Sequence, residues 1–259
     1  MTADPLVDDE LVLHGRVMPA SNATFVGSIG EHEVVYKPVA GERPLWDFPG
    51  AVLAHREVAA FEVSEAFGGL GEHPGVVPPT WLREGPHGEG MVQLWREPVE
   101  EDSAVTLVPE GQVPSGWCHV FDGYDASDRC VSLVHEDTPE LRWMAVLDVV
   151  LNNADRKGGH VLEMPGGHRH GIDHGIAFHT EPKLRTVLWG WMGSALTDAE
   201  REAVTRVRVG LAGALGEALR PLLTAREVDA LGRRCDRLLS HGVLPAPRGE
   251  GPAIPWPPF

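Results

Sequence analysis

The sequence predicts an α+β fold, with strands concentrated before residue 100 and helices dominating after residue 139. Three observations predict it: alternating apolar runs broken by turn residues across 11–38, a helical repeat of apolar residues in TPELRWMAVLDVVLNN, and a long helical pattern across 197–241. With 259 residues, 42% of them apolar, the chain is long enough for one two-lobed unit or two small domains.

After an acidic leader, LVLHGRVMP, TFVGSIG and VVYKP read as a β-meander turned at SNA and EHE. Alternation across 33–37 sends Val34 and Tyr36 to one face and Val35 and Lys37 to the other, where Lys37 is expected to face a cleft. GERPLWDFPG is a connection, and HREVAAFEVSEAF follows as a helix with Val58, Phe61 and Ala66 at helical spacing and Glu57 in its first turns. VVPPTWLR and GMVQLWRE read as two more strands, and the acidic stretch 97–102 as a hinge. Residues 103–138 give no clear pattern. In the next helix Leu141, Met144, Val146, Leu147, Val150 and Leu151 form a broad buried face that ends at Asn152-Asn153. HVLEMPGGHRHGIDHGIAFH reads as a hairpin turned at PGG and running to Phe178, with His168 and His170 in its exposed turn. The helical pattern of 197–241 breaks near Pro221, and the last residues are too rich in proline for regular structure.

A formal net charge of −16, from 38 acidic and 22 basic residues, disfavours general nucleic-acid binding, which needs clustered cations. The leader lacks the basic and apolar blocks of a signal peptide, and no apolar run is long enough for a membrane span, so a cytoplasmic protein is expected. Cys118, Cys130 and Cys235 are isolated and are expected to be reduced and structural.

ATP phosphoryl transfer needs a lysine on the phosphates, a carboxylate that orients it, an aspartate at the acceptor hydroxyl, and metal ligands. Candidates stand in that order: Lys37 on a strand, Glu57 on the next helix, Asp155 in the loop NNADRKGGHVL, position 160, and Asp173 on the strand after it. Only Lys37, Lys157 and Lys183 are lysines among the 22 basic residues, and two of these three fall in the constellation. A compact ammonium between phosphates is not interchangeable with a guanidinium.

The segments VVYKP, HREVAAFEVSE, VVPPT, LDVVLNNADRKGGHVL and GIDHGIAFH resemble the catalytic core of the phosphatidylinositol 3/4-kinase superfamily, nearest to its type II and plant 4-kinases, across about 20–180. The whole chain, with its PAIPWPPF end, also resembles an actinobacterial family of predicted kinases. The resemblance implies a two-lobed protein-kinase-like fold, with an N-lobe over 1–97 and a C-lobe over 98–259. It implies ATP as phosphate donor and Mg²⁺ or Mn²⁺ as cofactor. Lys37 would contact the α and β phosphates with Glu57 as its partner, and Ser21, Asn22, Ala23 and Thr24 would form the phosphate-covering turn. Gln93, Leu94 and Trp95 would be the hinge against adenine, Asp155 the catalytic aspartate, Lys157 a γ-phosphate contact, and Asp173 the metal ligand. His160 departs from the family's Asn; an imidazole nitrogen suits Mn²⁺ better than Mg²⁺.

Rival sites lack their signals. His160, His168, His170, His174 and His179 crowd together without an HExxH helix, and there is no GxxxxGK[ST], GxGxxG after a strand, or GxSxG. Three readings stay open: an ATP-dependent phosphotransferase acting on a hydroxyl, a pseudokinase that holds nucleotide without turnover, and another transfer such as nucleotidylation. The acceptor is expected to be soluble, a small molecule or a protein, with no stable membrane association, since no polybasic segment is present. Trp189, Trp191 and the IPWPPF end offer aromatics for a partner or for packing on the lobe.

Overall fold

The structure, a computed structural model, describes residues 9–18, 22–68, 75–99, 103–248 and 251–259. Its fold is α+β. Five antiparallel strands, β1 (Leu11–Arg16), β2 (Phe25–Ile29), β3 (His32–Pro38), β4 (Thr80–Gly85) and β5 (Gly88–Leu94), form a sheet in the order β1-β2-β3-β5-β4. Alternation works as expected in β3. Val34 and Tyr36 are fully buried with Ile29 and Val92 in a small core on one face, while Val35 and Lys37 are half-buried on the other. The strand starts at His32, so the turn before it is Gly30-Glu31 and not EHE.

Helix α1 (Leu53–Gly68) covers the second face. The register sets Lys37 opposite Met91, and directly opposed residues project to the same side, so Lys37 faces the helix. Met91 packs against Ala54 and Val58, whereas Ala59, Ala60, Val63 and Phe67 join the larger core of the helical part. Because α1 is covered on two sides, its burial is not that of a single stripe: Phe61 and Ala66 are only half-buried, and Arg56, Glu57 and Ser64 are buried. Its first amides are capped from outside by Glu42, whose carboxylate accepts from Leu53 N and Ala54 N at 2.8 and 2.7 Å.

Residues 103–138, which gave no pattern, hold a second sheet of β6 (Val105–Pro109), β7 (Trp117–Tyr124) and β8 (Cys130–Glu136) in the order β6-β8-β7. A bulge between His119 and Phe121 interrupts the alternation. Helix α2 (Pro139–Leu151) starts at Thr138, whose hydroxyl accepts from Leu141 N, and ends at Asn152 in the left-handed region with φ 56°. All six residues of its expected apolar face are fully buried.

The hairpin is shorter than the sequence pattern suggested. Strands β9 (Val161–Glu163) and β10 (Arg169–Gly171) pair across a turn at Pro165–Gly167, but pairing stops at Gly171 and 172–178 is irregular. Asp173 is therefore not on a strand. The backbone there bonds to side chains instead: Ile172 O accepts from Arg156 and His174 N donates to Glu57. His168 and His170 are half-buried and not exposed, with His170 Nδ1 3.0 Å from Val76 O.

Helices α3 (Asp198–Gly210), α4 (Ala214–Leu219) and α5 (Ala225–His241) fill the C-terminal part, with breaks at 211–213 and 220–224 where one was expected. Thr197 with Glu200 and Thr224 with Glu227 form capping boxes at α3 and α5. The tail is irregular, as expected, but it is tied down: Gly158 N donates to Pro258 O at 2.8 Å, and Thr186 N and Trp189 Nε1 donate to Ala253 O. Trp191 packs on His135 and bonds Asp137, while Trp256 is exposed. The cysteines are unpaired, with Cys235 buried, Cys118 half-buried and Cys130 exposed, so a buried structural role fits Cys235 alone. Among the described residues no helix is long and apolar enough to cross a membrane.

Candidate active site

Four of the residues singled out by order in the sequence meet at one point. Lys37 Nζ, brought by β3, lies 2.7 Å from Glu57 Oε1 on α1 and also bonds Asp173 Oδ1. Glu57 uses its second oxygen to accept from His174 N at 2.8 Å, which fixes the 173–174 turn against α1. The approach is close at Gly175, where a Cβ would sit 3.1 Å from Leu53 Cβ and the neighbour would have to give by a few tenths of an ångström. Asp173 has φ 59°, an uncommon conformation for a residue with a side chain and one that recurs at functional sites.

Charge pairing sets the protonation states. Burial alone would lower the Lys37 ammonium, but Asp173 and Glu57 outweigh it and hold Lys37 above its usual range. For Asp173 burial works upward, yet Lys37 pulls the carboxyl well below the ordinary range, and 43% of the side-chain surface stays open. Burial keeps Glu57 above the usual carboxyl range despite Lys37.

The loop after α2 contributes Asp155, with Lys157 Nζ 3.4 Å from its Oδ2. Burial raises the Asp155 carboxyl above its usual range, partly offset by Lys157, a shift toward what a proton acceptor near neutral pH requires. The odd residue, His160, is tied to the same loop: its Nδ1 lies 2.9 Å from Asp155 O, which as a carbonyl can only accept, so Nδ1 carries the proton. The bare Nε2 then stands 3.4 Å from Asp173 Oδ2, and burial holds the imidazole below its usual pKa, in the neutral form. A backbone-anchored Nδ1 leaves Nε2 able to ligate a cation. Among the described residues no group of three or more His, Cys, Asp or Glu converges as a metal site, so a cation here would complete its shell with non-protein oxygens.

Sequence reasoning missed the frame behind these residues. Arg156 is fully buried, donates Nε and Nη2 to the two oxygens of Asp148 at 2.8 and 2.9 Å, and reaches His160 O and Ile172 O with Nη1. One guanidinium thus ties α2, the 155–160 loop and the 172–174 turn together. Asn153 bonds Asp148 and accepts from Asp155 N, and Asn152 clamps 179–183 through His179 O, Glu181 O and Lys183 N. The available signal was Asp148 itself, an acid inside an otherwise apolar helical run.

The remaining candidates lie less freely than expected. Ser21 is outside the described residues. Asn22 Oδ1 accepts from Arg43 N, and Ala23 N donates to Gly41 O, so both are committed to the 41–43 segment, and Thr24 O accepts from Val17 N. Gln93 is buried with its amide on Thr80 Oγ1, Leu94 N donates to Pro79 O, and Trp95 N donates to Glu33 O. These amides serve the sheet.

The chain is 45% identical over 267 residues to Protein Rv2133c of Mycobacterium tuberculosis (strain ATCC 25618 / H37Rv), across 98% of this chain and 94% of that protein. No family model matches it. Among solved structures, the Helicobacter pylori proinflammatory kinase CtkA aligns over 92% of this chain and 94% of its own at 10% identity, with a TM-score of 0.44, too low for any inference.

Proposed function

For a chain that belongs to the family of Protein Rv2133c, we propose an ATP-dependent phosphotransferase that passes a γ-phosphate to a hydroxyl of a soluble acceptor. The observation that carries this reading is the Lys37 ammonium held between Glu57 and Asp173, with Asp155, Lys157 and His160 beside it. Three carboxylates against two lysines leave the cluster one negative charge, which suits a divalent cation and its bound phosphates. The likeness to phosphatidylinositol 3/4-kinases supports the same roles.

Lys37, released from Asp173 when nucleotide enters, binds the α and β phosphates and stays oriented by Glu57. Asp173 and His160 hold Mn²⁺ or Mg²⁺, which when bound neutralises phosphate charge. Asp155 accepts the acceptor's hydroxyl proton, and Lys157 steadies the γ-phosphate. The strand-rich 1–97 covers the nucleotide and 98–259 carries the loop, as two lobes. An acceptor at a strongly anionic bilayer is disfavoured by the net charge of −16.

His160, where the phosphatidylinositol 3/4-kinases that the chain resembles have Asn, favours a second reading, a pseudokinase that binds ATP without turnover. Calorimetric titration of ATP with Mg²⁺, Mn²⁺ or EDTA, together with an assay of ADP release, separates the two. The expected result is metal-dependent binding lost in Asp173→Ala, and turnover lost in Asp155→Ala with ATP affinity nearly intact. Metal-dependent binding with no ADP under any condition supports the pseudokinase; absence of binding sinks both.

A further inference from the structure

A second site lies away from this constellation and shares no residue with it. Between α5, the 180–184 segment and the 243–248 segment is a half-open cavity of about 480 Å³. Arg233, Arg234, Arg237, His241 and Arg248 line it, against Glu181 as the one acid. In a chain with 38 acids and 22 bases, four arginines at one concavity are out of proportion. Leu184, Met192, Leu238 and Leu244 supply apolar wall, and Met192 is 54% exposed.

Arg234 gives the independent observation. Its Nε donates to Val150 O at 2.9 Å and its Nη1 to His179 O at 3.2 Å, but its buried Nη2 has no partner among the described residues. Both partners it has are neutral carbonyls, so a half-buried guanidinium with a buried, unpartnered Nη2 stands without a carboxylate, an arrangement that costs stability until an anion completes it. Burial pulls this group down to about 10, and Arg233 and Arg237 push the same way. Arg233 and Arg237 make no ion pair among the described residues, unlike Arg208, which is engaged by Asp236 at 2.7 Å.

We propose that this cavity binds an amphipathic phosphate monoester, its phosphate held by Arg234 and Arg237 and its apolar body lying on Leu184, Met192 and Leu238. Guanidinium forks lining one cavity match a dianion with three acceptor oxygens better than a carboxylate. The site is wired to the catalytic loop. Arg234 and Asn152 both bond His179 O, and Asn152 lines the cavity while capping the helix that leads into Asp155.

The test uses the full chain and octyl phosphate below its micellar concentration, titrated by calorimetry. One-to-one binding is expected, roughly tenfold or more tighter than neutral octyl glucoside and weakened by a similar factor in Arg237→Gln. Arg234→Gln should do the same, with Arg233→Gln as the exposed alternative should loss of the Val150 and His179 bonds unfold the protein. Lys37→Met should leave affinity unchanged; loss of binding there would put the anion in the nucleotide site and overturn the proposal. Equal affinity for octyl glucoside, or indifference to the arginine variants, would overturn it too. Flotation with phosphatidylcholine vesicles doped with phosphatidic acid separates two supporting outcomes: arginine-dependent flotation identifies a lipid headgroup, and octyl phosphate binding without flotation a soluble ligand.

Discussion

His160 is one ring whose two nitrogens have different tasks. With Nδ1 anchored on Asp155 O and Nε2 free beside Asp173, it offers a nitrogen where the resembling kinases offer an amide oxygen. Mg²⁺ holds to oxygen more strictly than Mn²⁺, so His160→Asn should raise ATP affinity with Mg²⁺ relative to Mn²⁺ by roughly tenfold. An unchanged ratio in parallel titrations would remove His160 from the metal's shell. The meeting of Lys37, Glu57 and Asp173 was legible because their chemistry and order are unusual together. Arg156 and Asp148 were not, since a buried pair looks in sequence like two surface charges; only the contact at 2.8 Å reveals it. The hinge and phosphate-turn candidates sit in a tighter frame than the sequence shows. Gln93 and Asn22 look free in sequence, and hydrogen bonds to Thr80 and Arg43 use them within the fold.

Elements read best where one face is buried. β3 and α2 each have such a face, and their patterns gave the correct side. The β6-β8-β7 sheet did not, because much of β7 is exposed or half-exposed and a bulge shifts its register. The loop between α2 and β9 depends on an element far along the chain. A Cβ on Gly158 would come within 2.7 Å of the Phe259 ring and 3.3 Å of Val105 Cβ, so Gly158→Val should displace the tail. Transfer should then fall by roughly ten- to a hundredfold with little change in ATP affinity, since small misplacements of a catalytic loop are costly. Limited proteolysis gives the structural check: the last residues should be cut faster in the variant, and equal cutting would show that the tail tolerates it.

Across the whole molecule, charge is segregated. A net charge of −16 coexists with an arginine-lined cavity and, apart from it, the carboxylate-rich cluster around Lys37. The two are joined through α2, whose Val149 lines the cavity and whose end leads through Asn152 into Asp155. Sequence alone showed neither the cavity nor its orphaned guanidinium, since its residues come from segments more than ninety positions apart.

The Gly158 to Pro258 bond spans the same kind of distance and gives the loop its own stability scale. Its amide is buried under a proline-rich segment with no helix or sheet of its own, so solvent deuterium should reach it by local detachment of that segment, without global unfolding. Exchange at Gly158 should therefore be faster than at Leu147 in the core of α2 and should slow when nucleotide and metal are bound. Equal protection at the two amides would mean that loop, tail and core open as one cooperative unit.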